Sequence, residues 1–231
     1  MFEDKGTCEF SMVEPMMTET SRTLPVRDEV PSKPATRDLI LDAAARVFLQ
    51  HGYESTSMDR VAEEAAVGRR TVYNQFKSKS ALFDATVARI WLGMPIKQIL
   101  SEAEAVRDPE VGLRRIGLAI AEFWAPPAAV AFVQMIIRER DSFPDLAKSF
   151  FKSGKEAALK AVITYLETMN DQGSLLVSDA DIAARQFVGM INEPLLWFRV
   201  VGFGRNPSAA RRQRVVEEAV KTFLCRYQKT A

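Results

Sequence analysis

Histidine is nearly missing: His51 is the only one in 231 residues. That excludes any metal site built on two histidines, including the paired Glu-x-x-His sites of di-metal helical bundles. A Ser-His-Asp triad would have to use His51 itself. It stands in Gln50-His51-Gly52, the signature of a helix C-terminus, where an imidazole interacts with the helix dipole and needs no catalytic role. Cysteine is scarce as well. Cys8 and Cys225 lie near opposite ends of the chain, which excludes a disulfide-stapled secreted domain and fits a reducing, cytoplasmic setting. An excess of one charge is also lacking, with 31 basic residues against 30 acidic ones. Over the whole chain, this near-neutrality supplies no signature of a nucleic-acid or membrane-surface partner.

Beyond residue 35 glycine is sparse, and no phosphate-cradling glycine loop is found. No cluster of metal ligands is found either, so no catalytic constellation, metal or cofactor is expected. Alternating valine- or threonine-rich runs are absent too, and the chain reads as all-α. The longest apolar run, residues 116–137, carries only Glu122 as a charge and matches the ~20 residues needed to span a bilayer. Pro126 and Pro127 divide it, and Arg114-Arg115 and Arg138-Glu139-Arg140 flank it. Two buried helices with a break between them are expected, and no membrane partner.

What is present is an ordinary globular composition, 47% hydrophobic and 26% charged, enough for a sizeable core. Residues 1–34 differ: Pro15, Pro25, Pro31 and Pro34, seven acidic and four basic residues, and no sustained hydrophobic period predict a disordered arm with no export signal. Met16 or Met17 is a candidate translation start, a hypothesis that a full-length intact mass of the native protein would rule out. After the arm, Ile40, Leu41, Ala44, Val47 and Phe48 form a helical stripe over 37–51, ended by Gly52. Thr56-Ser57-Met58-Asp59 reads as a capping box opening a short helix. A brief helix over 69–75 and another from Ser78 complete a domain of residues 35–92. In residues 93–231, Asp108-Pro109-Glu110, Pro127, Pro144, Ser178 with Asp181, and Ser208 open five more helices, the fourth containing Pro194. Nine helices result.

The stretch from Arg60 to Tyr73 has the layout of a helix-turn-helix. Val61, Ala62 and Ala65 pack the first helix, the turn falls at Ala66 to Gly68, and Val67 and Val72 anchor the second. That leaves Arg69, Arg70, Thr71, Tyr73, Asn74 and Gln75 projecting outward. Arginine can take guanine bidentately, asparagine and glutamine can take adenine, and a threonine methyl can touch thymine, so the set has the chemistry of major-groove readout. Lys77 and Lys79 follow. These charges could be simply solvated, as charged helix faces usually are, but residues 69–79 hold four basic and no acidic side chains, and the helix bearing them is too short to have been kept for core packing alone. Without the arm the chain has 27 basic against 23 acidic residues, so the positive charge that matters is local.

Ile40-Leu41-Asp42-Ala43-Ala44, Phe48, Gly52-Tyr53, Thr56-Ser57, Val61-Ala62, Val67, Thr71-Val72-Tyr73, Phe76, Ser78-Lys79 and Leu82-Phe83 closely resemble, over about residues 36–90, the DNA-binding domain of tetracycline-repressor-like (TetR family) regulators. The resemblance implies base contacts by Arg69, Arg70, Thr71 and Asn74, and phosphate contacts by Ser57, Tyr73 and Lys79. Gly68 stands where the family commonly has a capping serine, Arg70 where it often has glycine, and Gln75 where histidine is frequent. Phe143-Pro144-Asp145-Leu146-Ala147, Phe150-Phe151 and Asp181 to Phe187 resemble the ligand domain of the AefR-like subgroup, over about residues 110–200.

These resemblances imply a homodimeric repressor on a pseudo-palindromic DNA operator, released by a small, largely apolar effector. The last two helices, about 179–201 and 208–227, would form the dimer interface. From composition, the pocket candidates are Trp124, Phe132, Met135, Phe151, Met169, Met190, Trp197 and Phe198, residue types that also make plain cores. Arg211-Arg212-Gln213-Arg214 reads as a solvated first turn. The alternative class is a helical ligand-binding or interaction module without DNA binding; it expects no salt-sensitive DNA affinity.

Overall fold

The computed structural model describes residues 35–229; the expected arm, 1–34, lies outside them. Four helices come first: α1 (Thr36–His51), α2 (Met58–Glu64), α3 (Arg69–Gln75) and α4 (Lys79–Leu92). The α1 stripe Ile40, Leu41, Ala44, Val47 and Phe48 is buried against α2 and α4. Gly52, at φ 77°, ends the helix and donates its N–H to Phe48 O, and His51 is exposed at its last position. The cap of α2 differs from the sequence expectation. Ser57, not Thr56, is the N-cap and accepts from Arg60 N, while Thr56 is buried and donates its hydroxyl to Gly52 O.

Two short helices follow, α5 (Ile96–Ile99) and α6 (Ala103–Arg107), each about one turn long and too short for a sustained apolar period to announce it. Then come α7 (Pro109–Phe123), capped by Asp108, and α8 (Pro127–Glu139). The Pro126-Pro127 break bends the pair by 71°, and among the described residues no single helix is long and apolar enough to cross a membrane.

Helix α9 runs through Pro144–Phe150, a π-helical turn at Phe151–Lys155 and Glu156–Asp171; α10 runs through Ala180–Asn192, a second π-helical turn at Glu193–Trp197 and Phe198–Val200. Asp179, not Ser178, caps α10 by accepting from Ile182 N. Pro194 explains the second π turn, because it has no N–H for the helical ladder and the register slips around it. Helix α11 (Ala209–Tyr227) is capped by Ser208. The described residues thus contain eleven helices and no strand; the nine expected are all present, and α5 and α6 are the additions.

The core of residues 109–227 is layered, with α7 packed against α11 and α10, and α9 against α10. The first four helices meet this core through α1 on α8 and α4 on α9. An aromatic run crosses the seam: Phe48 meets Phe83 edge-on at 5.3 Å, Phe83 stacks on Phe132 at 5.7 Å, and Tyr53 meets Phe143 at 5.0 Å. Arg199, only 8% exposed, caps the α7 C-terminus by donating to Trp124 O and Ala125 O. Burial lowers its pKa, but the guanidinium stays charged against the carbonyl end of the helix.

Candidate nucleic-acid interface and effector cavity

Helix α3 is held by a single buried side chain, Val72, with Val67 partly buried before it. Seven residues on one anchor leave most of the helix facing outward. Arg69, Arg70, Tyr73, Asn74 and Gln75 are exposed, Thr71 is half-buried, and Lys77 follows on the same exposed stretch. No acidic residue lies in this run. Ser57 is exposed at the start of α2, its hydroxyl oxygen accepting from Arg60 N and its proton free to be donated.

Two of the four cations are engaged. Arg69 pairs with Asp59 at 3.0 Å, an exposed pair that a stronger anion can displace. Lys79 is engaged within the protein: its ammonium donates to Tyr53 O at 2.8 Å and Glu54 O at 2.9 Å and lies 4.5 Å over the Tyr53 ring. Burial lowers its pKa, while Glu139 and Glu54 oppose that shift. At the start of α4 it closes the α1–α2 turn. Glu139, at the end of α8, completes this lock from the core side, accepting from Tyr53 N at 2.6 Å and Glu54 N at 3.0 Å. No sequence motif marked Glu139, because its partners are backbone groups 85 and 86 residues away.

The turn between α2 and α3 closes as a Schellman motif: Val67 N donates to Ala62 O at 3.0 Å and Ala66 N to Glu63 O at 3.1 Å. The left-handed position is Ala66, at φ 51°, rather than Gly68, at φ −65°. An alanine there costs about 1–2 kcal/mol, partly offset by the ~0.5–1 kcal/mol of chain entropy that glycine would lose on folding. Ala66→Gly is therefore expected to raise Tm by about 1–4 °C with DNA affinity unchanged. A lower Tm in a thermal melt would contradict the strain.

Two cavities flank the seam. The larger, about 710 Å³, lies between Ala45 and Leu49 of α1, Ile90 of α4 and the α7–α8 pair. Its charged wall groups are already paired, Arg115 with Glu102 and Glu104, and Glu122 with Arg212. Arg212 is thus not the solvated residue expected; its side chain is 13% exposed and also donates to Pro207 O. The smaller cavity, about 160 Å³, lies deeper between α4, α7, α8, α9 and α10. Trp124 and Phe150 belong to both walls.

Of the composition-based pocket candidates, Trp124 and Phe132 line the larger cavity, and Trp124, Phe151 and Trp197 the smaller. Met135 and Met169 are fully buried packing residues in neither wall, Met190 lines an outer groove between α10 and α11, and Phe198 is 56% exposed on the surface. None of these four lines either cavity. No sequence motif pointed to Trp91, Lys155 or Asn192 in the smaller wall; only Pro194, two residues beyond Asn192, marks the helix irregularity beside it.

Comparison with known proteins matches residues 40–86 to the family described as bacterial regulatory proteins, tetR family, and residues 111–229 to the AefR-like transcriptional repressor, C-terminal domain. The uncharacterized HTH-type transcriptional regulator YhgD of Bacillus subtilis is 36% identical over 91 residues, 38% of this chain and 45% of that protein, so the match spans less than half of the relative. Among solved structures, the flavonoid-responsive regulator FrrA superimposes with a TM-score of 0.67 at 29% identity, covering 85% of this chain and 98% of that one. A TetR family regulator from Pseudomonas syringae pv. tomato gives 0.66 at 23% identity, with 84% and 97% coverage, a likeness of fold. With its helix-turn-helix and more than half its length matched, the chain belongs to the TetR family of bacterial transcriptional regulators and carries an AefR-like C-terminal domain.

Proposed function

We propose that the protein is a homodimeric repressor whose α3 helices enter successive major grooves of a pseudo-palindromic operator, and that a small, mostly apolar effector in the smaller cavity releases it. The observation that carries this is α3 itself, a helix with one buried anchor and an outward face wholly polar or cationic. Arg69, Arg70, Thr71, Asn74 and Gln75 are the base-reading set; Ser57, Tyr73 and Lys77 are the phosphate set. Supporting a dimer, Ile182, Phe198, Val201 and Phe203 stand 51%, 56%, 62% and 86% exposed on or just beyond α10, more apolar surface at one helix than a monomer usually shows.

The smaller cavity is favoured as the effector site because its wall groups are unpaired, whereas those of the larger one are satisfied. Trp91, Trp124 and Trp197 offer flat faces to an aromatic molecule, and the related FrrA is by name flavonoid-responsive. Trp91 also sits near the end of α4, the helix that begins directly after the DNA-reading segment. An occupant that fits one position of α4 better than another shifts the spacing of the two α3 helices, and equal fit to both would change nothing.

Lys77 tests the phosphate set. Each neutralised phosphate contributes about 0.9 to the slope of log affinity against log salt, so Lys77→Ala is expected to flatten the dimer's slope by roughly 1.8 while weakening all sequences alike. Anisotropy titrations across salt concentrations measure this. An unchanged slope would remove Lys77 from the contact set.

A further inference from the structure

The wall of the smaller cavity is less uniform than an apolar effector requires. Two residues of its lining each carry a buried polar atom without a hydrogen-bond partner, Trp91 Nε1 and Asn192 Oδ1. The first can only donate and the second only accept, so they are not interchangeable demands. A third group, the Lys155 ammonium, is half withdrawn from water on the same wall. Burial and the nearby Arg185 push its pKa down, and no carboxylate acts against them.

The placement of these groups has a structural cause. Lys155 ends the π-helical turn in α9, and Asn192 immediately precedes the one in α10. π turns widen a helix and re-aim its side chains, and they recur at functional sites. In α9 the turn also contains Gly154, whose backbone abuts the Trp91 indole so closely that a Cβ would lie 1.9 Å from Cδ1 and 2.0 Å from Nε1. Any larger residue there would move Trp91. The two interrupted helices and the end of α4 therefore bring the residues that carry one donor, one acceptor and one cation to the lining of a single chamber.

Size narrows the occupant further. The chamber measures about 160 Å³, and a dry protein cavity of ~150 Å³ holds one benzene ring. The rest of the wall is apolar and mostly aliphatic, with Phe150, Phe151 and the three tryptophans set among it.

We propose that the effector is a single-ring hydroxylated aromatic acid, its hydroxyl donating to Asn192 Oδ1 and its carboxylate accepting from Trp91 Nε1 and pairing with Lys155. The assignment rests on the effector-responsive function proposed above. It differs from a general apolar site in requiring three polar complements at once: among the described residues Trp91 Nε1 and Asn192 Oδ1 have no hydrogen-bond partner, and the Lys155 ammonium meets only the Phe151 ring, at 5.0 Å, and no carboxylate.

The test is calorimetric titration of the full-length protein with 4-hydroxybenzoate, benzoate, phenol and toluene. 4-Hydroxybenzoate is expected to bind at least about tenfold tighter than benzoate or phenol, each of which lacks one of the polar groups. Asn192→Leu and Lys155→Met should each cost 4-hydroxybenzoate about tenfold or more and leave toluene binding within about threefold. Lys155 is partly exposed, so its variant keeps the test decisive if Asn192→Leu does not fold. Toluene binding as tightly as 4-hydroxybenzoate, or variants without effect, would overturn the proposal. Release of operator DNA by a larger apolar compound, with none of the four bound, overturns this effector class and leaves the regulator function standing. Tight 4-hydroxybenzoate binding with the expected variant losses supports the chemistry of the site even if operator affinity does not move, in which case it is the effector role that fails.

Discussion

Arg69→Ala combined with Arg70→Ala is expected to weaken operator binding by at least about 100-fold, with thermal stability nearly unchanged. A bidentate arginine–guanine contact is worth about 1–3 kcal/mol of discrimination, and a dimer makes every contact twice. Stability is spared because neither side chain supports the core. Arg70 is exposed, and the Arg69–Asp59 pair joins side chains 67% and 39% exposed, a class of ion pair worth at most about 1 kcal/mol. The loss should be greatest on the cognate sequence, leaving a weaker affinity less able to tell it from random DNA. An affinity within about threefold of the parent, in the same salt, would mean that α3 is not the reading helix.

Glu139→Ala is expected to uncouple the effector from the operator. The Glu139 carboxylate is the core's hydrogen-bonded hold on the α1–α2 turn, through Tyr53 N and Glu54 N, and it faces the Lys79 ammonium that closes the same turn. Its helix, α8, also supplies Val133, Ile136 and Ile137 to the smaller cavity, so one rigid element touches both the proposed effector and the DNA-binding domain. Truncation leaves the buried Tyr53 N–H unpaired, at a stability cost of about 2 kcal/mol. Allosteric couplings run from about 5- to 150-fold, and this one should fall towards one, with effector binding itself retained. The check is operator affinity measured with and without saturating effector in both proteins. A full effector response in Glu139→Ala would place the route elsewhere, with Trp91 on α4 the next element to examine.

Much of this fold is written locally in the chain, and the parts that are not share a physical reason. Helix α3 falls at residues 69–75 as expected because Val67 and Val72 fix its buried side and Gly68 and Phe76 end it within the same short segment. Asp108-Pro109 and Ser208 mark α7 and α11 for similar reasons: a cap is a contact between residues two or three apart. The turn-closing contacts of Lys79 are not legible locally, because a lysine at a helix start has no local explanation. Its partners, Tyr53 O and Glu54 O, are 26 and 25 residues away. Arg212 looked solvated for the same reason, since Glu122 is 90 residues distant. The cavity was the least legible feature. Trp91 reads as an ordinary member of the buried α4 stripe, and only tertiary packing leaves its N–H without a partner. The near-neutral total charge proved a poor guide, since it averages over 231 residues a property that a groove-binding helix needs over only about ten.

The most direct measurement is selection of bound sequences from random double-stranded DNA by the purified full-length protein at low salt. The account expects a pseudo-palindromic motif whose half-site centres lie one helical turn apart, about 10–10.5 base pairs, or a multiple of it. It also expects that the Arg69→Ala/Arg70→Ala protein will fail to enrich that motif. An unenriched pool from the parent protein, or the same motif recovered by the double variant, would contradict it.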